Sequence, residues 1–188
     1  MKRKSKNLHR YFFIVCISMI LLLLFFDIKN ENKPATKQTQ ELFHIHVDFK
    51  VFISGQEMDF ALPQYSERDR RMHLHTQNDF GGSVIHVEDE KTTLGEFFAS
   101  LSMKFNSTCF ITDSEFCDTE TKTLKFYVND VENNEHENYK PRDLDRMLIS
   151  YGNESKDEIQ KQLSSIIKLA CVFSNKCPIP EGVKIVTL

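Results

Sequence analysis

Short runs in which apolar and polar residues alternate open the folded part of the chain. Residues 44–54 alternate in this way and are rich in β-branched and aromatic side chains. Gly55-Gln56 then supplies turn residues before a second alternating run at 57–62, so a hairpin is predicted. Residues 72–76 and 83–88 are two further short apolar runs on either side of a turn-forming segment. The pattern predicts four β-strands in this half of the chain.

Helical spacing replaces alternation in two later segments. Thr93 and Glu96 have the spacing of a capping box and open a helix predicted to run to about residue 105. Its apolar positions recur every three or four residues, which forms one core-facing stripe; they are Leu94, Phe97, Phe98 and Leu101. A second amphipathic helix is predicted over residues 157–170, with Ser155 or Asp157 as its cap.

The remaining elements complete an α+β fold. Residues 124–128 and 146–151 are predicted strands, and 183–188 is a possible edge strand after the Pro-containing tail. Strands grouped around two helices indicate a mostly antiparallel sheet with two amphipathic helices. The order of hairpin, helix, strand and strand is compatible with a β-grasp arrangement.

An uncharged apolar run precedes this domain. Residues 11–26 carry no charge, and a membrane-spanning helix usually needs roughly 17–25 residues, which the flanks supply. Five basic residues stand before the run and no acidic one, so the N-terminus is expected in the cytoplasm. The predicted divisions are a cytoplasmic basic segment at 1–10, a transmembrane anchor at 11–28, a linker at 29–42 and an extracytoplasmic domain at 43–188.

A cleaved signal peptide is the alternative to an anchor. Cleavage requires small residues in an A-x-A-like pattern, and none follows Phe26. The anchor is therefore favoured, which predicts a single-pass protein of the cell membrane with its C-terminal domain outside.

The charge balance separates the N-terminus from the rest. Net charge is -3 overall, but the residues after the basic cluster carry 19 basic against 27 acidic side chains, a balance of -8. An acidic domain lacks the basic face that nucleic-acid binding needs and is better suited to cations. We therefore expect the membrane as a partner through the N-terminal helix, no nucleic acid, and a protein partner of unknown identity.

Five of the seven histidines lie between positions 44 and 86. Alternate residues of a strand point to the same face, so each i, i+2 pair presents two donors together. Imidazole suits zinc, copper, nickel or iron, and a carboxylate can complete the set. The predicted ligands of a divalent transition metal, zinc or copper, are His44, His46, His73, His75, His86 and Glu88.

Two other interpretations of these histidines stay open. They can form the polar faces of half-exposed strands, or a pH-responsive cluster, because unperturbed imidazole titrates near pH 6.5. His136, within a polar segment, is expected to be a solvated loop residue.

Four cysteines follow the apolar run, an even number suited to an oxidising compartment. Three connectivities are possible. Local pairing, Cys109 with Cys117 and Cys171 with Cys177, is favoured. No C-x-x-C occurs, which argues against a thioredoxin-like redox site.

Several motifs together resemble those of a known family. They are HVDFKVF at 46–52, the H-x-H motif HLH at 73–75, VIHV at 84–87, TLGEFF at 93–98, DLDRMLISYG at 143–152 and ACVFSNKCP at 170–178. In this order the chain resembles an uncharacterised family of membrane-anchored extracytoplasmic proteins of archaea and small-genome bacteria. The resemblance covers nearly the whole domain and implies no function. Family members tend to have His where this chain has Glu88, and a carboxylate can also be a ligand.

Three functions are compatible with these patterns. The first is a membrane-tethered binding module that holds a transition metal through paired histidines. The second is a metal-dependent enzyme, in which Glu88 acts as a base beside the metal, although no nucleophile or phosphate-binding loop is evident. The third is a structural or protein-interaction domain without a ligand.

Overall fold

A computed structural model describes residues 16–19, 43–75 and 82–180. Residues 16–19 are helical. The rest of the predicted segments 1–10, 11–28 and 29–42 lies outside the described residues, as does the edge strand expected at 183–188. Among the described residues, no helix has the length and apolar character needed to cross a membrane. The described residues within 43–180 form one compact unit.

Ten strands and three α-helices are described in this unit. The strands are β1 (Ile45–Ile53), β2 (Gln56–Glu57), β3 (Met72–Leu74), β4 (Val84–Val87), β5 (Lys104–Phe105), β6 (Cys109–Ile111), β7 (Glu115–Cys117), β8 (Thr123–Val128), β9 (Val131–Glu132) and β10 (Arg146–Gly152). The helices are α1 (Leu94–Ser100), α2 (Lys156–Ser165) and α3 (Ala170–Phe173), with 3-10 turns at Pro63–Tyr65 and His136–Asn138.

The larger sheet has the strand order β3-β4-β1-β10-β8-β9, and β2 also pairs with β1. Among the described strands of this sheet, only β1 and β10 pair in parallel, and the other strand pairs are antiparallel. Strands β5, β6 and β7 form a separate small antiparallel sheet. The predicted α+β class with mostly antiparallel sheets and few helices is confirmed.

Strand β1 is covered on both faces, because its two sets of alternating side chains enter different clusters. Val47, Phe49 and Val51 join the main core with the aromatic residues of α1. Phe52, on the other face, packs in a second cluster with residues of β10 and α2, such as Leu148 and Ile159. The large sheet is thus covered by α1 on one face and by α2 on the other.

The first helix begins as predicted and ends earlier than predicted. Thr93 and Glu96 form the capping box, with the Thr93 N–H donating to Glu96 Oε2 at 3.0 Å. The helix stops at Ser100 instead of continuing to about residue 105. Ser102 adopts a positive φ of 62°, and the Met103 N–H closes the turn by donating to the Phe98 carbonyl at 2.9 Å.

The shortened helix frees the following residues for the small sheet, which was not predicted from sequence. Phe105 of β5 pairs with Phe110 of β6, and both side chains are buried in the main core. Cys109 lies directly opposite Cys117 across β6 and β7, and the two form a disulfide.

The second predicted helix, 157–170, ends earlier than predicted, because α2 stops at Ser165 and a separate short helix, α3, begins at Ala170. Ser155 caps α2, and Glu158 completes a capping box. The chain becomes extended at Ile166, and α3 then begins beneath Asp48, whose carboxylate accepts the N–H groups of Leu169 (2.9 Å) and Ala170 (2.8 Å). Asp48 is buried in β1, and burial raises the pKa of its carboxyl to about 6, although both N–H donors act to lower it. A side chain 121 residues away thus defines the start of α3.

A disulfide joins Cys171 of α3 to Cys177. With Cys109–Cys117, it confirms the local pairing favoured from the sequence. The tail is thereby closed into a short loop above the same face of the sheet that carries His46.

Candidate metal site on the histidine face

Strand register aligns three histidines in a row. His46 of β1 lies opposite His86 of β4, and His86 lies opposite His73 of β3. Residues directly opposite each other on paired strands share a face and have Cβ atoms about 4.5–5.5 Å apart. His44 and His75 follow at i±2 positions on the same face. Three neighbouring strands therefore bring five imidazoles together, and we call these five residues the histidine cluster.

Nitrogen atoms of different rings approach closely within the histidine cluster. His44 Nε2 lies 3.4 Å from His86 Nδ1, and His73 Nε2 lies 3.2 Å from His75 Nε2. Two nitrogens bound to one tetrahedral ion at 2.0–2.1 Å would be separated by about 3.3–3.4 Å. The observed separations have the length of such a ligand–ligand edge.

The ring nitrogens form two groups of three that can hold a metal ion. In each group the ligand atoms lie within 4.8 Å of one another. The first group, site A, is His44, His46 and His86. The second group, site B, is His73, His75 and His86. His86 belongs to both.

Helix α3 covers part of the cluster. The Phe173 ring centroid lies 5.7 Å from that of His46 and 5.5 Å from that of His86. His46 is 3 % exposed and His86 is 8 % exposed. His44 is exposed, whereas His73 and His75 are half-buried. The cluster is thus dry at its centre and accessible at both ends.

A hydrogen-bond chain orients the His46 ring. Ser174 Oγ donates to Asp143 Oδ1 at 2.7 Å and lies 2.9 Å from His46 Nδ1. Since the hydroxyl proton points to the carboxylate, Ser174 accepts from His46 Nδ1–H, and the lone pair of His46 is at Nε2. Asp143 also accepts the His46 backbone N–H and pairs with Lys176. Metal-binding histidines commonly have an outer partner of this kind.

The two buried rings of the cluster, His46 and His86, are neutral near neutral pH. Burial, followed by the charges of the four neighbouring imidazoles, lowers the pKa of His86 to about 2. Burial, followed by the charge of His44, lowers the pKa of His46 to about 4, against a smaller opposing effect of Asp143. Burial also lowers the pKa of His73. Metal-binding imidazole must be neutral, so protons compete weakly at these rings.

Site B opens into a pocket of about 390 Å³. The pocket is lined by Glu67, Asp69, Arg70, His73, His75 and Glu88. Glu67 Oε1 lies 3.4 Å from His75 Nδ1, without the geometry of a hydrogen bond. The Nδ1 atoms of His73 and His75 are buried and have no hydrogen-bond partner. Two half-buried rings whose Nδ1 atoms lack hydrogen-bond partners are suited to a cation.

The predicted ligand residues do not all converge. The five histidines of the cluster come together, whereas Glu88 is exposed at the pocket and belongs to neither group of three. His136 was expected to be solvated, but it is half-buried between Phe105 and Phe126, with ring centroids 6.0 and 6.1 Å away.

Sequence reasoning did not find the residues that support the cluster. They are Glu67, Asp143, Phe173 and Ser174, which are separated along the chain and adjoin the cluster only after folding. The one sequence signal was the cysteine pair around Ser174, because a closed loop holds its residues in place.

Comparisons with known proteins return no relative: no family model, curated protein or solved structure matches the chain. The resemblance described above stays a prediction.

Proposed function

We propose that this domain binds a divalent transition metal, zinc or copper, through the histidine cluster. The observation that supports the proposal best is the pair of nitrogen–nitrogen separations, 3.2 and 3.4 Å, within five imidazoles on one face of the sheet. Three strands hold these rings, so a metal would meet a preorganised ligand set. Folding of the chain, rather than metal binding, then orders most of the ligand side chains.

The donor set favours zinc or copper over harder ions. Imidazole nitrogen suits both, whereas magnesium and calcium prefer oxygen ligands. Thiolate ligation has no support among the described residues of the domain, because all four cysteines there form disulfides. Glu67 and Asp143 would act around the ligands, as carboxylates that orient rings and balance charge.

The cellular setting belongs to the same proposal. We infer a single-pass anchor at 11–28, with the domain outside the cell membrane. The uncharged run, the basic residues before it and two disulfides support this inference. The finer architecture is inferred to be β-grasp-like, since the antiparallel neighbours β4 and β8 flank the central parallel pair and α1 crosses one face.

An enzyme is the second candidate, supported by the pocket beside site B. Catalytic zinc keeps one position open for water, and a nearby carboxylate can act as the base. Glu67 and Glu88 both line this pocket. Turnover of a substrate would separate this candidate from a binding module.

Metal analysis of the full-length chain tests the proposal directly. The purified protein, kept in detergent and stripped with chelator, should take up Zn²⁺ or Cu²⁺ stoichiometrically at about pH 7.5, where unperturbed imidazole is mostly neutral. His73→Ala combined with His75→Ala should lower uptake and leave the fold intact, because both side chains are only half-buried.

His136→Asn is the matched control. It removes a histidine outside the cluster, and Asn tolerates the positive φ of 45° at this position. Uptake should be unchanged. A wild-type chain that binds neither ion above background would overturn the proposal.

A further inference from the structure

His86 occupies a special place, because the two groups of three approach it from opposite directions. Just before β1, His44 lies beyond the His46–His86 pair toward the Glu88 end of β4. Just after β3, His75 lies beyond the His73–His86 pair toward the Val84 end. His44 and His75 are therefore at diagonally opposite corners around the His86 ring.

One ion cannot use the whole cluster. Ligand atoms that lie within 4.8 Å of one another form site A and site B, and no described group combines His44 with His75. Ligands of one tetrahedral ion need to be about 3.3–3.4 Å apart. Five donors arranged as two groups with one shared member thus correspond to two positions for a metal.

The shared ring has the chemistry to serve both positions. An imidazole carries its nitrogens on different edges, and His86 Nδ1 faces His44 Nε2 at 3.4 Å in site A. Its Nε2 is on the other edge. A neutral ring offers one lone pair, and loss of the remaining N–H proton to solvent gives an imidazolate that offers two.

We propose that His86 bridges two divalent metal ions as an imidazolate, which rests on the metal-binding function proposed above. His44 and His46 complete the protein ligands of one ion, and His73 and His75 complete those of the other. The ions would be about 6 Å apart, given metal–nitrogen bonds of about 2.0–2.1 Å. Binding of both ions releases one ring proton, so a bridge of charge -1 lies between two charges of +2.

The surroundings of the cluster favour two cations. The carboxylate of Asp143 reaches site A through Ser174, and that of Glu67 lies 3.4 Å from His75 in site B. The two positions differ in access, because Phe173 lies over His46 and His86, whereas site B adjoins the pocket. Each ion would have three protein ligands and one remaining coordination position.

Copper loading of the full-length chain in detergent tests the bridge. We expect two Cu²⁺ per chain, and a low-temperature electron paramagnetic resonance signal that integrates to clearly fewer than two spins, because an imidazolate couples the two unpaired electrons. His44→Ala should weaken ion binding at site A at least about tenfold. His75→Ala should weaken ion binding at site B by a similar factor. Each single variant should then show one ion with the full signal of one uncoupled spin.

The outcomes separate this inference from the broader function. Binding of no ion overturns both. One ion per chain in the wild type, or two ions with the full intensity of two spins, overturns the bridge and leaves metal binding standing. His86→Asn should abolish the coupling; if it fails to fold, the exposed His44 and half-buried His75 variants decide the question. His136→Asn should retain two coupled ions.

Discussion

Two rows of side chains on opposite faces of the same three strands have different roles. Leu74, Ile85 and Val47 form one row, and all three are fully buried in the main core. The other row is offset by one residue on each strand and consists of His73, His86 and His46. The backbone pairing is the same for both.

The comparison shows how one sheet separates stability from chemistry. The apolar row is sealed by the main core, which contains α1. The histidine row is covered only in part, by the short helix α3 and the disulfide-closed loop that follows it. Phe173 and Ser174 contact His46, and the two ends of the histidine row stay accessible. A change in the first row should therefore affect unfolding, and a change around the second should affect ligand binding.

The largest expected effect comes from the apolar row. Ile85→Ala should lower the free energy of unfolding by about 2–5 kcal/mol, because it leaves a cavity in a closed core. Denaturant unfolding of the metal-free protein measures this loss. Metal affinity of the chain that remains folded should change little. A loss below about 0.5 kcal/mol, the range of ordinary surface substitutions, would contradict the assignment of this row to the core.

The two disulfides sharpen the comparison, since each closes a loop of similar length. Replacing either pair with serines should cost about 2 kcal/mol of unfolding free energy on the loop-entropy model. Only loss of Cys171–Cys177 should also weaken metal binding, because its loop carries Ser174 and Phe173. Titration of both double variants with Zn²⁺ makes the test. Equal effects on metal affinity would show that the α3 loop does not support the cluster.

The histidine row should make the metal-free protein sensitive to acid. The pKa of His46 is about 4 and that of His86 about 2 in the folded chain, against 6.5 for ordinary histidine. At a pH below 6.5 and above the folded-state pKa of each ring, the unfolded chain binds a proton that the folded chain does not. The free energy of unfolding therefore falls as the pH drops below about 6.5. Asp48 opposes this trend between its ordinary 3.8 and about 6, because its raised pKa lets the folded state bind the extra proton.

Denaturant unfolding curves recorded from pH 7 to pH 4 measure the net effect of the histidines and Asp48 on the free energy of unfolding. Three lowered histidines outnumber one raised carboxyl, so we expect a net loss of stability. His46→Leu should flatten the slope. A wild-type slope of zero, or one unchanged by this substitution, would refute the expected contribution of the histidine row.

The smallest expected effect on stability concerns the orientation of one ring. Ser174→Ala removes the acceptor of His46 Nδ1–H and should weaken metal binding by roughly 10–100-fold. Its cost in unfolding free energy should be only about 0.5–1.5 kcal/mol, the usual value of one hydrogen bond. Ser164→Ala is the control, because Ser164 bonds only within α2. Unchanged metal affinity in Ser174→Ala would exclude the orienting role.

The sequence alone determined those features that depend on neighbouring residues. Short runs of strand-forming residues predicted β1, β3, β4, β8 and β10, and capping-box spacing predicted the start of α1. The i, i+2 spacing placed two histidines on one face of a strand, since side chains alternate whatever the sheet does. Short separation also favoured the correct cysteine pairs.

Only the tertiary structure decided which strands are adjacent and in what register. His46, His73 and His86 form a row because β4 lies between β1 and β3, and a slip of one residue would move His86 to the opposite face. Contacts between residues far apart in the sequence decided where α3 begins and how the His46 ring is oriented. Asp48 begins α3 from 121 residues away, and Ser174 orients His46 from 128 residues away. No local pattern encodes such contacts, because they depend on how the elements pack.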